Sequence, residues 1–196
     1  ISWTNSIPLE EYLRRQNLMN GAGLALGDYD GDGWCDLFLC NRFGPSALYR
    51  NLGNWRFEET TAQAGVACEN QISAGAVFAD VNGDRRLDLL VSSFTGPNAL
   101  FLNLGNGTFT NRTAQAGITS NRGGTSMALG DLDGDDDLDL YLCHLGVEAI
   151  FRDGAAFSTR MVRGKPVVTG RFAKRLEIVN GRIYELGDVD YLFRND

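Results

Sequence analysis

The chain of 196 residues is poor in the residues that support several kinds of chemistry, with one histidine, His144, and four cysteines without Cys-x-x-Cys spacing. A single imidazole leaves little basis for a histidine-based triad, and the cysteine pattern is not that of a zinc site. No apolar run reaches the roughly eighteen residues of a membrane-spanning helix. The absence of both an opening Met and a leader fits either a removed signal peptide or an excised segment.

Clustered positive charge is also lacking. The chain has 18 Lys and Arg against 25 Asp and Glu, a net charge of −7. Nucleic acids and anionic membrane surfaces bind clustered cations, so the composition argues against both as partners. The acidic residues are concentrated in a repeated segment.

Internal repetition dominates the chain, with a period near fifty residues. An acidic segment occurs as DYDGDGWCDLFLCN (28–41), DVNGDRRLDLLVSS (80–93) and DLDGDDDLDLYLCH (131–144). A second segment occurs as ALYRNLGNWRFEETTAQAGV (47–66) and ALFLNLGNGTFTNRTAQAGI (99–118). Such a period is typical of solenoids, propellers or arrays. We expect repeats at about 20–72, 73–123 and 124–196.

Each repeat has the pattern of short β-strands separated by Gly and Asn turns, about four strands per repeat. This pattern predicts one propeller blade per repeat, with a β-helix as the alternative. Because a closed propeller has about four blades or more, we expect a partial or a self-associating propeller. The predicted fold class is all-β, with about three propeller repeats and a β-hairpin insertion.

The acidic loops carry side-chain oxygens at positions 1, 3, 5 and 9, with Gly at position 4. Each loop lacks the acidic twelfth residue and the flanking helices of an EF-hand. Hard oxygen donors favour Ca²⁺, so we expect two to three calcium ions, with the second loop the weakest site. The alternative is a set of polar β-turns. The predicted side-chain ligands are Asp28, Asp30, Asp32 and Asp36; Asp80, Asn82, Asp84 and Asp88; and Asp131, Asp133, Asp135 and Asp139. Backbone carbonyls at position 7 are expected to complete the shells, from Trp34, Arg86 and Asp137.

The D-x-D-G-D-x-x-x-D-L loop within a fifty-residue β repeat resembles the FG-GAP or VCBS-type repeats of integrin α-like propellers. The flanks LYRNLGNWRFEETTAQAGV and GDYDGDGWCDLF resemble secreted ASPIC/UnbV-type, cartilage acidic protein-like chains. The likeness covers roughly residues 20 to 145. It implies an extracellular or secreted propeller, periplasmic or cell-surface in a bacterium, with calcium loops and a role in adhesion or recognition. Arg85 and Arg86 depart from the loop pattern.

Two segments fall outside the regular repeat. The segment at about 146–188 separates the third acidic loop from YLFRND (191–196), which matches the start of the second repeated segment. Asn180-Gly181 predicts a two-residue hairpin turn, and 161–170 predicts another hairpin. The insertion is either a solvated decoration or an arm that contacts a partner. PLEEYLRRQNLMN (8–20) predicts a short helix.

Three functions are compatible with these features. The first is a calcium-stabilised extracellular module for protein interaction or adhesion, whose partner the sequence does not name. The second is a carbohydrate-binding propeller in which Trp34, Trp55 and Tyr49 stack on sugars. Because the two tryptophans are not repeated, we expect them in the core instead. The third is a glycan-processing enzyme with calcium in support. The clustered carboxylates are already accounted for as ligands, so we expect no enzyme.

Overall fold

The fold is all-β, as predicted, with antiparallel sheets that form partial propeller blades and no closed ring among the described residues. The computed structural model describes residues 1, 3–5, 7–14, 22–146, 150 and 156–196. One short helix, α1 (Leu9–Arg14), lies within the predicted N-terminal helix. The remainder of that prediction, from residue 15 to residue 20, lies outside the described residues.

The first blade is a four-stranded antiparallel meander in which neighbours in sequence are neighbours in the sheet. A short helix with Gly65 in the left-handed conformation at its end follows the last strand. Its elements are β1 (Leu24–Gly27), β2 (Asp36–Leu39), β3 (Ala47–Asn51), β4 (Phe57–Glu59) and α2 (Thr61–Ala64).

The second blade repeats this arrangement element by element, also as a four-stranded meander followed by a helical turn. The pairing of Leu89 with Phe101 corresponds to that of Leu37 with Tyr49 in the first blade. Its elements are β5 (Ser73–Ala79), β6 (Asp88–Ser93), β7 (Ala99–Asn103), β8 (Phe109–Asn111) and α3 (Thr113–Ala116).

The third blade is interrupted by two hairpins. It starts with β9 (Gly124–Gly130) and β10 (Asp139–His144), which pair antiparallel. The hairpins form the insertion, and one of them turns at Asn180 and Gly181, both at positive φ, as the sequence predicts. Their strands are β11 (Ser158–Val162), β12 (Lys165–Thr169), β13 (Leu176–Val179) and β14 (Arg182–Glu185).

The third strand of this blade comes after the hairpins. It is β15 (Tyr191–Phe193), which pairs antiparallel with β10 so that Phe193 lies opposite Leu140. This register matches that of Phe101 and Leu89 in the second blade. The short C-terminal segment therefore occupies the position that the repeat assigns to it. The limits of the three repeats stay a prediction.

The blades pack face to face through apolar side chains. Phe38 and Leu48 of the first blade are fully buried against Leu89 and Val91 of the second. Alternate residues of a strand face opposite sides of the sheet, so Leu90 lies on the other face, where it clusters with Leu140 of the third blade. The second blade therefore contributes one face to each of two interblade cores.

The first strands of neighbouring blades approach each other closely. The backbone N–H of Gly23 donates to the carbonyl of Ala74 at 2.7 Å. A Cβ on Gly23 would lie 2.7 Å from the Cα of Gly75 and 2.8 Å from the oxygen of Ala74. No side chain fits at this position without movement of the backbone, so glycine permits the first strands of neighbouring blades to approach each other closely.

Candidate metal centres

Each acidic loop connects the first and second strands of a blade and curls around its first aspartate. In the first loop the carboxylate of Asp28 accepts the backbone N–H groups of Gly31, Asp32 and Gly33 at 2.8 to 3.0 Å. Gly31 has a φ of 76°, which favours glycine. Asp131 in the third loop accepts three equivalent N–H groups. The first aspartate therefore sets the loop conformation in both.

The first loop brings three carboxylates together. Asp28, Asp30 and Asp32 each contribute an oxygen to a group in which all the oxygens lie within 4.8 Å of one another. Desolvation by burial is the largest influence on Asp30 and raises the pKa of that carboxyl, and the nearby carboxylates of Asp32 and Asp28 add to the rise. A divalent cation would relieve this repulsion and find a set of hard oxygen donors.

The predicted ligand at position 9 of the first loop, Asp36, has a different environment. It is fully buried, and its two oxygens accept the backbone N–H groups of Tyr29 at 3.0 Å and Asn51 at 2.8 Å. Burial raises the pKa of Asp36 to about 6 despite these donors. Asp36 therefore ties its own loop to the third strand of the blade, and it lies outside the group of three carboxylates.

The same connection recurs in the other two blades. Asp88 is fully buried and accepts the N–H groups of Val81 and Asn103. Asp139 is 2% exposed and accepts those of Leu132 and Asn195. The aspartate at position 9 is thus a structural connection in every blade, a role that the sequence analysis did not assign to it.

The third loop forms two overlapping groups of carboxylates. Asp131, Asp133 and Asp139 form one, and Asp133, Asp135 and Asp196 form the other, each with oxygens within 4.8 Å of one another. Asp139 therefore joins a group here, whereas Asp36 does not in the first loop. Asp196 was missed by the sequence analysis, and it is brought to the loop because β15 ends beside it.

The second loop differs from the other two. The side-chain amide of Asn82 donates to Asp84 at 3.0 Å, and the guanidinium of Arg86 forms an ion pair with the same carboxylate. Within the described residues, its acids Asp80, Asp84 and Asp88 do not form a group of three close oxygens. The second loop therefore presents fewer free carboxylate oxygens to a cation than the other two loops do.

The residues at position 7 share one contact. The backbone N–H of Trp34 donates to Asp32 at 2.9 Å, that of Arg86 to Asp84 at 3.0 Å, and that of Asp137 to Asp135 at 3.0 Å. These bonds hold the carboxylate at position 5 in place. Coordination by the carbonyls of the same residues stays a prediction.

An arginine faces the carboxylates of every loop. Arg50 of β3 forms ion pairs with Asp30 at 2.5 Å and Asp32 at 2.9 Å. Arg194, at the equivalent position after β15, pairs with Asp133 at 2.9 Å. In the second blade Leu102 occupies this strand position, and Arg86 from the loop itself supplies the charge. The sequence analysis missed these arginines as partners of the loops, although Arg-Asn recurs at 50–51 and 194–195.

The asparagine that follows on the third strand connects the loop to the neighbouring blade. The side-chain amide of Asn103 donates to the carbonyl of Tyr29 at 2.7 Å and to that of Leu87 at 3.0 Å. The amide of Asn195 donates to the carbonyl of Val81 at 3.0 Å. Each of these asparagines therefore joins its blade to the loop of the preceding blade.

Trp34 and Trp55 are not in the core, so that expectation was wrong. Trp34 is 51% exposed and Trp55 is 93% exposed, and with Phe57 they line an open cavity of ≈ 630 Å³ on the outer face of the first blade. Tyr49, the third aromatic residue considered for sugar stacking, is buried. Of these three aromatic residues, Trp34 and Trp55 are the ones accessible to a ligand.

The single histidine is buried and lies beside polar groups, some of which are exposed. His144 is 5% exposed, and its Nε2 lies 2.7 Å from the hydroxyl oxygen of Ser120. Asp190 accepts the backbone N–H of His144 and the hydroxyl of Tyr141, rather than orienting the imidazole. This differs from a catalytic triad, in which the carboxylate holds the ring.

Blades of four antiparallel strands with an acidic loop between the first two define a propeller-type repeat protein. The sequence profile of the FG-GAP-like repeat matches residues 28–91 and 80–142, and the chain belongs to this family. The similarity to cartilage acidic protein-like chains is also confirmed. Cartilage acidic protein 1 of Mus musculus is 34% identical over 84 residues, and the proteins of that name from Homo sapiens and Xenopus tropicalis are 32% identical over 84 residues.

The chain spans 13% of the length of these relatives, and each match covers 43% of the chain. Among the described residues, no helix has the length and apolar character needed to cross a membrane.

Proposed function

We propose that this chain is a calcium-binding, extracellular β-propeller module for protein interaction or adhesion, in which the ions stabilise the loops between strands. The observation that carries the proposal is the convergence of three carboxylates in the first loop and again in the third. The donors are all oxygens and their number suits Ca²⁺ better than Zn²⁺ or copper.

The first loop would hold its ion through Asp28, Asp30 and Asp32, with Arg50 moving aside. The third loop would use either Asp131, Asp133 and Asp139 or Asp133, Asp135 and Asp196. The second loop, with its asparagine and Arg86, would bind most weakly. These assignments rest on side-chain oxygens that the loops already bring together.

The role of the ion would be structural. Each loop is held to the third strand of its blade by its buried aspartate. The first and second loops are also held to the next blade, through Asn103 and Asn195 respectively. An ion that orders the loop therefore also stabilises the contacts between strands and blades. Its binding free energy then adds to the free energy of unfolding.

Calorimetric titration of the chain with Ca²⁺, together with denaturant unfolding in calcium and in chelator, tests this proposal. We expect two or three sites and higher stability in calcium. Asp133→Ala should remove one site and lower stability more in calcium than in chelator, while Glu177→Ala, at an exposed residue of the insertion, serves as the matched control. Absence of binding, or an equal loss of stability for Asp133→Ala in calcium and in chelator, would exclude a calcium site in the third loop.

An extracellular location is part of the proposal. The loops are largely exposed, and exposed sites of this kind suit the high calcium concentration outside cells, since extracellular modules bind with Kd values of roughly 10⁻⁴ to 10⁻³ M. The FG-GAP-like repeat and the similarity to cartilage acidic protein 1 support the same location. A measured affinity in the nanomolar range would argue instead for a buffer-type role.

A carbohydrate-binding function is the second candidate, and the exposed tryptophans favour it. Trp34 and Trp55 line one cavity, and aromatic faces are suitable platforms for sugar rings. Binding on a glycan array that is lost in Trp55→Ala and retained in Leu192→Ala, an exposed residue of the third blade, would support this function. Absence of any glycan signal would leave the protein-interaction function. We propose no catalytic role for the clustered carboxylates.

A further inference from the structure

The second acidic loop has an asparagine where the other two have an aspartate. Position 3 is Asp30 in the first loop, Asp133 in the third and Asn82 in the second. A glycine follows at position 4 in every loop, so the second loop contains the pair Asn82-Gly83. In such a pair the backbone nitrogen of the glycine can attack the side-chain amide carbon of the asparagine, because the glycine has no Cβ to hinder the approach.

The backbone nitrogen of Gly83 is not held by the loop. In the first loop the N–H of Gly31 donates to Asp28 at 2.8 Å, and the equivalent bond in the third loop is 2.7 Å long. In the second loop Asp80 accepts the N–H groups of other loop residues instead. Among the described residues, none accepts the N–H of Gly83. This nitrogen therefore has no hydrogen bond within the described chain to lose when it reacts.

The side-chain amide of Asn82 is oriented by the residue two positions further on. Its Oδ1 accepts the backbone N–H of Asp84 at 3.0 Å, and its Nδ2 donates to the carboxylate of the same residue at 3.0 Å. A donor on Oδ1 stabilises the negative charge that develops on this oxygen when a nucleophile adds to the amide carbon. Asn82 and Gly83 are both exposed, so water reaches them. The loop therefore activates the amide carbon and leaves the neighbouring nitrogen accessible.

The reaction needs water as its only co-reactant. The Gly83 nitrogen gives up its proton to solvent and forms a bond to Cγ of Asn82, while the bond from Cγ to Nδ2 breaks and that nitrogen takes up a proton and leaves as ammonia. The product is a cyclic succinimide. Water opens the ring at the bond from the Gly83 nitrogen to Cγ, which gives aspartate, or at the bond from the same nitrogen to the backbone carbonyl carbon, which gives isoaspartate. Both products carry a carboxylate.

We propose that Asn82 is a site of spontaneous deamidation, which converts the second acidic loop to the carboxylate pattern of the other two. In the aspartate product, positions 1, 3, 5 and 9 are acidic, as they already are in the first and third loops. The amide that donates to Asp84 is replaced by a negative charge, which repels Asp84 when no ion is present and attracts a divalent cation. The consequence for calcium rests on the proposed function, whereas the deamidation itself does not.

Two other described Asn-Gly pairs serve as internal comparisons. Asn106-Gly107 lies in the turn between β7 and β8, and Asn180-Gly181 lies in the hairpin turn between β13 and β14. Neither pair belongs to an acidic loop, so deamidation at either leaves the proposed ligand positions unchanged. They show whether the conditions of an experiment permit the reaction.

Peptide mapping by mass spectrometry tests the modification. The chain is incubated in chelator at mildly alkaline pH, folded and in parallel unfolded in guanidinium chloride, and each Asn-Gly pair is followed by the mass gained when the amide NH₂ becomes OH. We expect Asn82 to react in the folded chain at least as fast as in the unfolded chain, because the loop activates its amide carbon. A slower reaction in the folded chain, or an Asn82 that stays intact while Asn106 or Asn180 reacts, would overturn the proposal.

Variants test the consequence for the second loop, in a chain with Asp30→Ala and Asp133→Ala so that the other two loops contribute no ion. Asn82→Asp should raise the calcium affinity about tenfold, because affinity depends on the number of charged ligands. It should also lower the free energy of unfolding in chelator and raise it in calcium. Asn82→Gln, which keeps an amide, is the matched control and should do neither.

The two experiments separate failure of this proposal from failure of the proposed function. Calcium binding of equal strength in Asn82→Asp and Asn82→Gln would overturn the conversion of the second loop. Absence of calcium binding in both variants would contradict the proposed calcium site in this loop, while the deamidation of Asn82 would still be decided by the peptide map.

Discussion

The asparagine at the end of the third strand provides a sharp test of how the blades are held together. Asn103 is 1% exposed, its amide donates to Tyr29 and Leu87, and its oxygen accepts the N–H of Gly105. Asn103→Ala removes all three hydrogen bonds, of which the one to Tyr29 is buried and the other two are partly buried. At roughly 1 kcal/mol for each lost bond, and more for each buried group left without a partner, the free energy of unfolding should fall by about 3 to 5 kcal/mol.

Asn51 is the matched control, because it has the same position in the first blade and a different environment. Its amide donates to the carbonyl of Cys35 within the blade and its oxygen accepts the N–H of Gly53, so no contact between blades is involved. These bonds are more exposed, and Asn51→Ala should lower the free energy of unfolding by about 1 kcal/mol.

Urea unfolding of the two variants and the parent chain, in chelator and in calcium, measures this difference. We expect the larger loss for Asn103→Ala under both conditions. An equal loss for the two variants would refute the conclusion that the interblade bonds of Asn103 are important for stability, since the bonds within each blade are similar.

Three further predictions concern the first loop and the first strands of neighbouring blades. Arg50→Gln should raise the calcium affinity of the first loop about fivefold, since a +1 and a +2 charge about 5 Å apart in a largely aqueous setting repel by roughly 1 to 2 kcal/mol. Competition titration measures the affinity, and an unchanged value would exclude Arg50 as a competitor of the ion. Burial raises the pKa of Asp36 to about 6, so in the metal-free fold this carboxyl takes up a proton as the pH falls through that value. If Asp36 ligates calcium, the calcium affinity rises with pH through this range, and binding at pH 6 releases about half a proton. Calorimetric titration in buffers of different ionisation enthalpy would detect this release, and its absence would remove Asp36 from the ligand set. Gly23→Ala should destabilise the chain by about 1 to 3 kcal/mol because its Cβ meets the backbone of the second blade. Gly130→Ala should not, because its Cβ would first meet a flexible leucine at 4.0 Å. Equal melting temperatures of the two variants would show that the first strands of neighbouring blades can separate.

The repeat explains which parts of the fold were predictable. Because the same residues recur at matching positions, the sequence predicts the loop connecting the first two strands and the return of the chain at Tyr191–Phe193 after the hairpins. The turn at Asn180-Gly181 follows from local conformational preference alone. These features depend on neighbours in sequence or on repeated spacing.

The roles of particular side chains were harder to predict because they depend on neighbours in space. Arg50 and Asp30 are distant in sequence and meet only when β3 lies beside the loop. The exposure of Trp34 and Trp55 is a similar case. Large aromatic residues are usually buried to a high degree, but these two lie on a blade face that is not covered by another described element.

The loops and the blade contacts form one connected hydrogen-bond system, and this links the proposed calcium sites to blade packing. The N–H of Tyr29 donates to Asp36 and its carbonyl accepts from Asn103, whose own N–H donates to Asp88. Asp88 in turn accepts from Val81, whose carbonyl accepts from Asn195. An ion that orders one loop therefore restricts the residues that the next blade binds.

This connection predicts that calcium stabilises more than the blade whose loop it occupies. Calcium bound to the first loop should slow hydrogen exchange in β7 of the second blade, because the carbonyl that Asn103 binds belongs to that loop. The effect should be lost in Asn103→Ala and kept in Asn51→Ala, whose bonds stay within the first blade. The comparison uses a chain with Asp84→Ala and Asp133→Ala, so that neither the second nor the third loop contributes an ion. Protection of β7 that survives in Asn103→Ala would mean that the ions act on the blades independently of this hydrogen bond.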